Sequence, residues 1–321
     1  MRKKHFLFAS VLALLCGSST LHAQDFKLTS SGYFKNQGVD VMAFDDIYPE
    51  GHQGGVCIIM NGHRVATNGD IRLEATPGQW QPVPKQLDRK LGDNSITATL
   101  CYPDSSRHLT GFNPMIYPDL HLIYTVNVES KGKNIEVTVD LDRPIPQEFI
   151  GKVGFNLEFF PGSLFGKPWI MDGQSGIFPQ QPNSPLMTTQ PNYLHTGNYH
   201  DGKKSLADMN KLIGKGYSPI VADDIISEPY AKGTKFTSRP DDPYNKVTIE
   251  SLSGDLQLFD GRMNHNNGWF VLRSNIKPGV TKGAVKWIIT PNVVADWMYQ
   301  PVIQTSQIGY HPTQDKEAVI E

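Results

Sequence analysis

The chain has 321 residues, with 30 lysines and arginines against 32 aspartates and glutamates. That near balance excludes a concentrated basic face of the kind that nucleic acid or an anionic membrane surface requires. Its 29 glycines and 23 prolines favour many turns over long helices, and its three cysteines form no Cys-x-x-Cys pair that would point to zinc or dithiol chemistry.

The first segment reads as an address. Met1-Arg2-Lys3-Lys4-His5 is a basic opening, Phe6 to Leu15 is an apolar run, and Leu21-His22-Ala23 is a small-residue cleavage site ahead of Gln24. This order predicts a secretory signal peptide over residues 1–23, with an apolar run too short to span a bilayer. The expected location is therefore secreted, periplasmic or extracellular. A lipoprotein anchor at Cys16 is the alternative, although Leu15 stands where such a site needs a small side chain. Cleavage removes three basic residues and leaves 27 basic against 32 acidic side chains, so neither nucleic acid nor membrane is expected as a partner beyond the signal peptide. Cys57 and Cys101 then remain, as a disulfide or as two buried thiols.

From Gln24 onward the pattern is that of short strands. Val56–Met60 ends at Asn61-Gly62, a strong reverse-turn dipeptide. Asp70–Ala75 alternates polar and apolar residues, as a half-buried strand would. Strands are also expected at Ile96–Tyr102, Lys152–Phe160, Trp269–Arg273 and Ala284–Thr290. His121–Val128 and Asn134–Leu141 alternate on either side of the polar connector Ser130-Lys131-Gly132-Lys133, which predicts a hairpin. A second hairpin is expected between Lys246–Glu250 and Asp255–Phe259 across Ser253-Gly254. Helical periodicity is confined to Ser205–Ile213. These signals predict an all-β fold, a large antiparallel β-sandwich over residues 24–298.

Pro161 to His200 is a loop-like stretch rich in Pro, Gly, Asn and Gln that nevertheless holds Phe165, Trp169, Phe178, Tyr193 and Tyr199. A sugar ring stacks its C–H face on an exposed aromatic while nearby amides and carboxylates bond its hydroxyls. Trp169, Tyr193 and Trp269, with Asn267, Glu158 and Asp172, are therefore the candidate carbohydrate-binding residues. The string Asn264-His265-Asn266-Asn267-Gly268-Trp269 is the most sugar-site-like of these. The same aromatics serve equally well as core. Glu158 and Asp172 form a conceivable acid pair beside Trp169, whereas outward-facing or turn-capping roles are the ordinary fate of strand acids. His195 and His200 lack a third metal ligand, and Asp223-Asp224 and Asp241-Asp242 lack the alternating oxygen pattern of a calcium loop. No cofactor, metal or catalytic motif is expected.

The last twenty residues carry a resemblance. Gln307, Gly309, Tyr310, Pro312, Lys316, Ala318 and Val319, with Ile308 as a conservative replacement, fall on a recurrent pattern. It is that of the opening strands of the immunoglobulin-like domain preceding the catalytic barrel in family 9 glycoside hydrolases, the cellulase-type enzymes; Ser306 departs from the usual Asn. The resemblance implies that residues 299–321 begin such a domain and leave it truncated. It further implies that the parent protein is a secreted O-glycosyl hydrolase acting on plant or other β-glucans, its catalytic domain lying downstream. The Asp-Ala-Gly-Asp motif that the resemblance implies for water activation is absent here. The expected partners are thus a polysaccharide or oligosaccharide and the catalytic domain of the same parent chain. The expected role is non-catalytic, with glycan holding without cleavage as the alternative.

Overall fold

The computed structural model describes residues 25–45, 54–74, 76–77, 84–102, 120–182, 228–263 and 268–320. It is an antiparallel all-β sandwich, as the strand pattern predicts. Strands are numbered along the chain. The first sheet runs, neighbour to neighbour, β1 (Lys27–Leu28), β2 (Phe34–Asn36), β3 (Val39–Ala43), β4 (Val56–Met60), β5 (His63–Leu73), β10 (Val153–Phe159), β17 (Phe270–Asn275), β16 (Leu256–Asp260) and β13 (Ala231–Gly233). The second runs β12 (Gln174–Ile177), β11 (Pro168–Met171), β14 (Lys235–Ser238), β15 (Val247–Ser251), β18 (Val285–Pro291), β9 (Asn134–Leu141), β8 (Ile123–Lys131), β7 (Ser95–Cys101) and β6 (Lys85–Leu91). A separate pair, β19 (Ile303–Thr305) and β20 (Ala318–Ile320), follows.

Alternation builds the core. In β9 every second residue, Ile135, Val137, Val139 and Leu141, is buried, and its partner β8 buries Tyr124, Val126 and Val128 in the same way. The two sheets meet through aromatic side chains. Phe155 of β10 stands edge-on to Trp287 of β18 with ring centroids 5.0 Å apart, and Phe159 meets Phe236 of β14 at 5.8 Å. At the free edge of the second sheet, β6 is mostly exposed and carries Lys85, Asp88, Arg89 and Lys90.

Two expectations need correction. Lys246–Glu250 and Asp255–Phe259 do not pair with each other. β15 joins β14 and β18 in one sheet, while β16 joins β13 and β17 in the other. Each strand has its own buried row, Val247 and Ile249 in one and Leu256 and Leu258 in the other. The Ser251–Asp255 turn is therefore a corner between sheets. Nor is Asp70–Glu74 half-buried, because its polar residues are as buried as its apolar ones. The aromatic stretch after Pro161 contains the β11–β12 hairpin. It is pinned by Arg262, which donates to the carbonyls of Pro179 and Gln180, pairs with Asp260 at 2.8 Å and lies over Phe270. Cys57 and Cys101 lie in different sheets, and no disulfide joins them. Residues 205–213, for which a helix is expected, lie outside the described residues.

Phe155 fills the seam between the sheets, so Phe155→Ala should cost about 3–5 kcal/mol. The check is urea unfolding, in which the midpoint should drop at unchanged m-value; a change below about 0.5 kcal/mol would place the seam elsewhere.

Candidate functional site

β10 is the strand on which both sheet faces are closed: all seven of its residues are buried. Phe155, Leu157 and Phe159 point to the other sheet, so alternation places Gly154, Asn156 and Glu158 on the opposite face. There they meet polar residues of the neighbouring strands. Antiparallel register sets Asn156 beside Asp70 of β5 on one side and Arg273 of β17 on the other, and Gly154 beside Arg72. The register of β5 on β10 shifts between Asn156 and Glu158. Asn68 lies within that irregularity, with a left-handed backbone φ of 56°, and its amide donates to Glu158 Oε2 at 2.6 Å.

Arg273 ties the three strands together. Its Nη1 donates to Glu74 Oε1 and Asn156 Oδ1 at 3.1 Å, and its Nη2 donates to the carbonyls of Glu74 and Lys152. Its Nε donates to Asn275 Oδ1 at 2.7 Å, and Asn156 donates in turn to Glu74 Oε1 at 2.5 Å. Asp70 accepts from its neighbour's amide, Ile71 N, and from the Tyr124 hydroxyl at 3.0 Å, while Tyr102 donates to the Ile71 carbonyl. A Cβ on Gly154 would come within 2.8 Å of Arg273 Nε, so only glycine leaves the guanidinium its place.

Burial governs the electrostatics. It pushes the Glu74 carboxyl up to about 7, against the pull of Arg273 and Arg72, and the Asp70 carboxyl up to about 6, against Arg72. Burial works against the charge on Arg72 as well, but Glu158 and Asp70 outweigh it and raise that pKa. Arg72 Nε, Thr67 Oγ1 and Asn68 Oδ1 are buried without a hydrogen-bond partner, and all three belong to β5, Thr67 opposite Glu158 and Arg72 opposite Gly154. The cluster clamps three strands. Glu158 is only 4% exposed.

The other sequence-predicted residues are dispersed. Trp169 on β11 is buried in the core with its ring against Gly176, and its indole N–H meets no acceptor. Asp172, at the β11–β12 turn with φ 50°, accepts from the amides of Thr234 and Lys235, which makes it a turn cap and not an acid beside Glu158. Glu158 and Asp172 lie in different sheets. Trp269 is half-buried and set edge-on to Phe160 at 4.2 Å. Tyr193 and Asn267 lie outside the described residues, as do His195, His200 and Asp223-Asp224. Asp242 caps its own turn through Tyr244 N and Asn245. Among the described residues no group of three His, Cys, Asp or Glu side chains could hold a metal. Arg72, Glu74, Asn156 and Arg273 were not singled out by sequence. Their signal was charged residues recurring at every second position of Asp70–Glu74.

No family model and no curated protein matches the chain. Among solved structures it is similar to the Slr1438 protein from Synechocystis sp. PCC 6803, with 8% identity and a TM-score of 0.35 over 84% of this chain and 96% of that one. It is similar also to HI1317, with 7% identity and a TM-score of 0.29 over 82% and 93%.

The raised carboxyls set the sign of a pH effect. Their folded pKa values exceed the unfolded ones, 3.8 for Asp70 and 4.5 for Glu74, so the folded state holds protons that the unfolded chain has released. Their contribution to stability is present at low pH and is lost as pH rises toward 7. The urea midpoint of the native chain, relative to an Asp70→Asn, Glu74→Gln double variant, should fall between pH 4 and pH 8. A difference that is flat or rises with pH would contradict the assignment. Arg273→Ala should cost about 3–5 kcal/mol at neutral pH, by removing the cation directly paired with the buried Glu74 carboxylate.

Proposed function

We propose that the chain is a non-catalytic β-sandwich module of a secreted, family 9-like glycoside hydrolase that acts on plant or other β-glucans. In this role it packs on other domains of its parent and leaves bond cleavage to them. The observation that carries the reading is the β19–β20 pair. All six of its strand residues are exposed, Ile303 lies opposite Ile320, and Ile308 is 100% exposed. A two-stranded unit gains stability when further strands or a packed layer cover its apolar face. Tyr310, within the family-like string, ties the pair from inside. Its hydroxyl bonds to the Glu317 carbonyl and accepts from Ser306 N at 3.1 Å. The pair is thus shaped to present its apolar residues outward.

The acids support the same reading. Glu158 is enclosed beside Asn68 and Arg72, and Asp172 is spent on two backbone amides. Hydrolysis needs two carboxyls flanking a sugar site, and this pair is split between sheets.

Purified chain incubated with mixed-linkage β-glucan should release no reducing sugar above buffer. Sugar release that disappears in Glu158→Gln would overturn the non-catalytic role. Ile303→Asp with Ile320→Asp should move the sandwich's melting temperature by less than about 2 °C, because both side chains are mostly exposed and lie outside the sandwich core.

A further inference from the structure

The outer face of the β2–β4 meander bears a cleft of about 220 Å³ lined by Lys35, Asp40, Ile59, Trp297 and Tyr299 among others. Its floor follows from register. Lys35 pairs across with Asp40, and Asp40 with Ile59, so the three form one row across three strands. Their neighbours Phe34, Val39, Val41, Ile58 and Met60 are the buried alternates facing the core, which leaves the row facing out.

The wall is built on two hairpin tips. Gly38, between β2 and β3, has φ 65°, and Gly62, between β4 and β5, has φ 81°. A Cβ on Gly38 would lie 2.6 Å from the Trp297 ring, and one on Gly62 would touch Tyr299 at 3.5 Å. Each glycine is therefore the seat of an aromatic ring. The tips are tied together, since Asn61 N donates to the Gly38 carbonyl at 2.6 Å and the Asn61 amide to the Tyr244 carbonyl. Gln37 donates to the Trp297 carbonyl, fixing the segment that brings the rings in. Trp297 and Tyr299 meet edge to face at 6.2 Å, and Tyr299 is 51% exposed.

The lining chemistry selects a ligand class. Rigid aromatic edges and faces beside Ile59 offer an apolar surface to the C–H face of a flat ring. Asp40 and Lys35 offer an acceptor and a donor at its rim. One Asp40 oxygen is withdrawn from solvent and has no hydrogen-bond partner, and a buried acceptor of that kind gains from a hydroxyl donor. One lysine and one aspartate leave the lining without net charge, which favours a neutral ring over a uronate. The volume is below the roughly 300 Å³ at which pockets for drug-sized ligands begin, which suits one ring of a chain passing over the face.

We propose that the cleft between Asp40 and the Trp297–Tyr299 wall binds a neutral pyranose unit of a β-glucan. This rests on the polysaccharide-handling role proposed above and assigns it a place. The probe is cellopentaose, titrated into the purified chain by calorimetry, with oligogalacturonate of equal length as comparison. The expected result is a dissociation constant on the order of 0.1–1 mM for cellopentaose, a range usual for a small open site, and binding at least about tenfold weaker for the uronate. Asp40→Ala and Tyr299→Ala should each weaken cellopentaose binding about tenfold or more, with unchanged melting temperature; Tyr299 is chosen because its side chain is half exposed. No binding of cellopentaose, or binding that neither substitution alters, overturns the assignment. Tighter binding of the uronate overturns the neutral-ring specificity. Sugar release from β-glucan would instead sink the non-catalytic role and leave the cleft standing, so the two failures are distinguishable.

Discussion

The guanidinium of Arg273, held between β17, β10 and β5, is the constraint around which the first sheet is organised. A strand closed on both faces has no solvent side on which to put polar residues, so β10 must pair its Asn156 and Glu158 internally. Arg273 resolves this for Asn156 and Glu74 together and takes two backbone carbonyls as well. Charges buried in this way add little net stability compared with apolar residues, but removing one partner is costly. The cluster therefore specifies register: slipping β10 by one residue would turn Phe155 into the charge cluster and Asn156 against Trp287.

Much of the architecture was legible where contacts are local. The β8–β9 hairpin is written in two alternating arms and a Gly132 turn, and β4–β5 in Asn61-Gly62, because neighbours in sequence are there neighbours in the sheet. The turn at Ser253-Gly254 looks the same in sequence but separates β15 from β16 into different sheets. Nothing local distinguishes a hairpin turn from a sheet-to-sheet corner, since the difference lies in which other strands each arm joins, β14 and β18 for one and β13 and β17 for the other. The fate of Asp70–Glu74 was illegible for a similar reason: alternation gives two faces, but not what covers each.

The aromatic residues teach the same lesson about exposure. Trp169 sits among Pro and Gly yet is buried on Gly176, because a glycine opposite an indole accepts the whole ring. Trp297 and Tyr299 sit on glycines too, but those glycines are turn tips at the margin of the sheet, so the rings remain in contact with solvent. The residue beneath an aromatic, and whether it lies mid-strand or at a turn, decides core against surface.

The two kinds of edge in the molecule have unlike colloidal consequences. β6 guards the rim of its sheet with lysines, an arginine and an aspartate, and its pairing with β7 is interrupted by a bulge; both features discourage a second molecule from adding a strand. β19 and β20 have no charged residue in either strand and leave their isoleucines in water. In a concentrated solution, β6 resists the addition of a strand, whereas the uncharged β19–β20 pair offers exposed isoleucines to a second molecule.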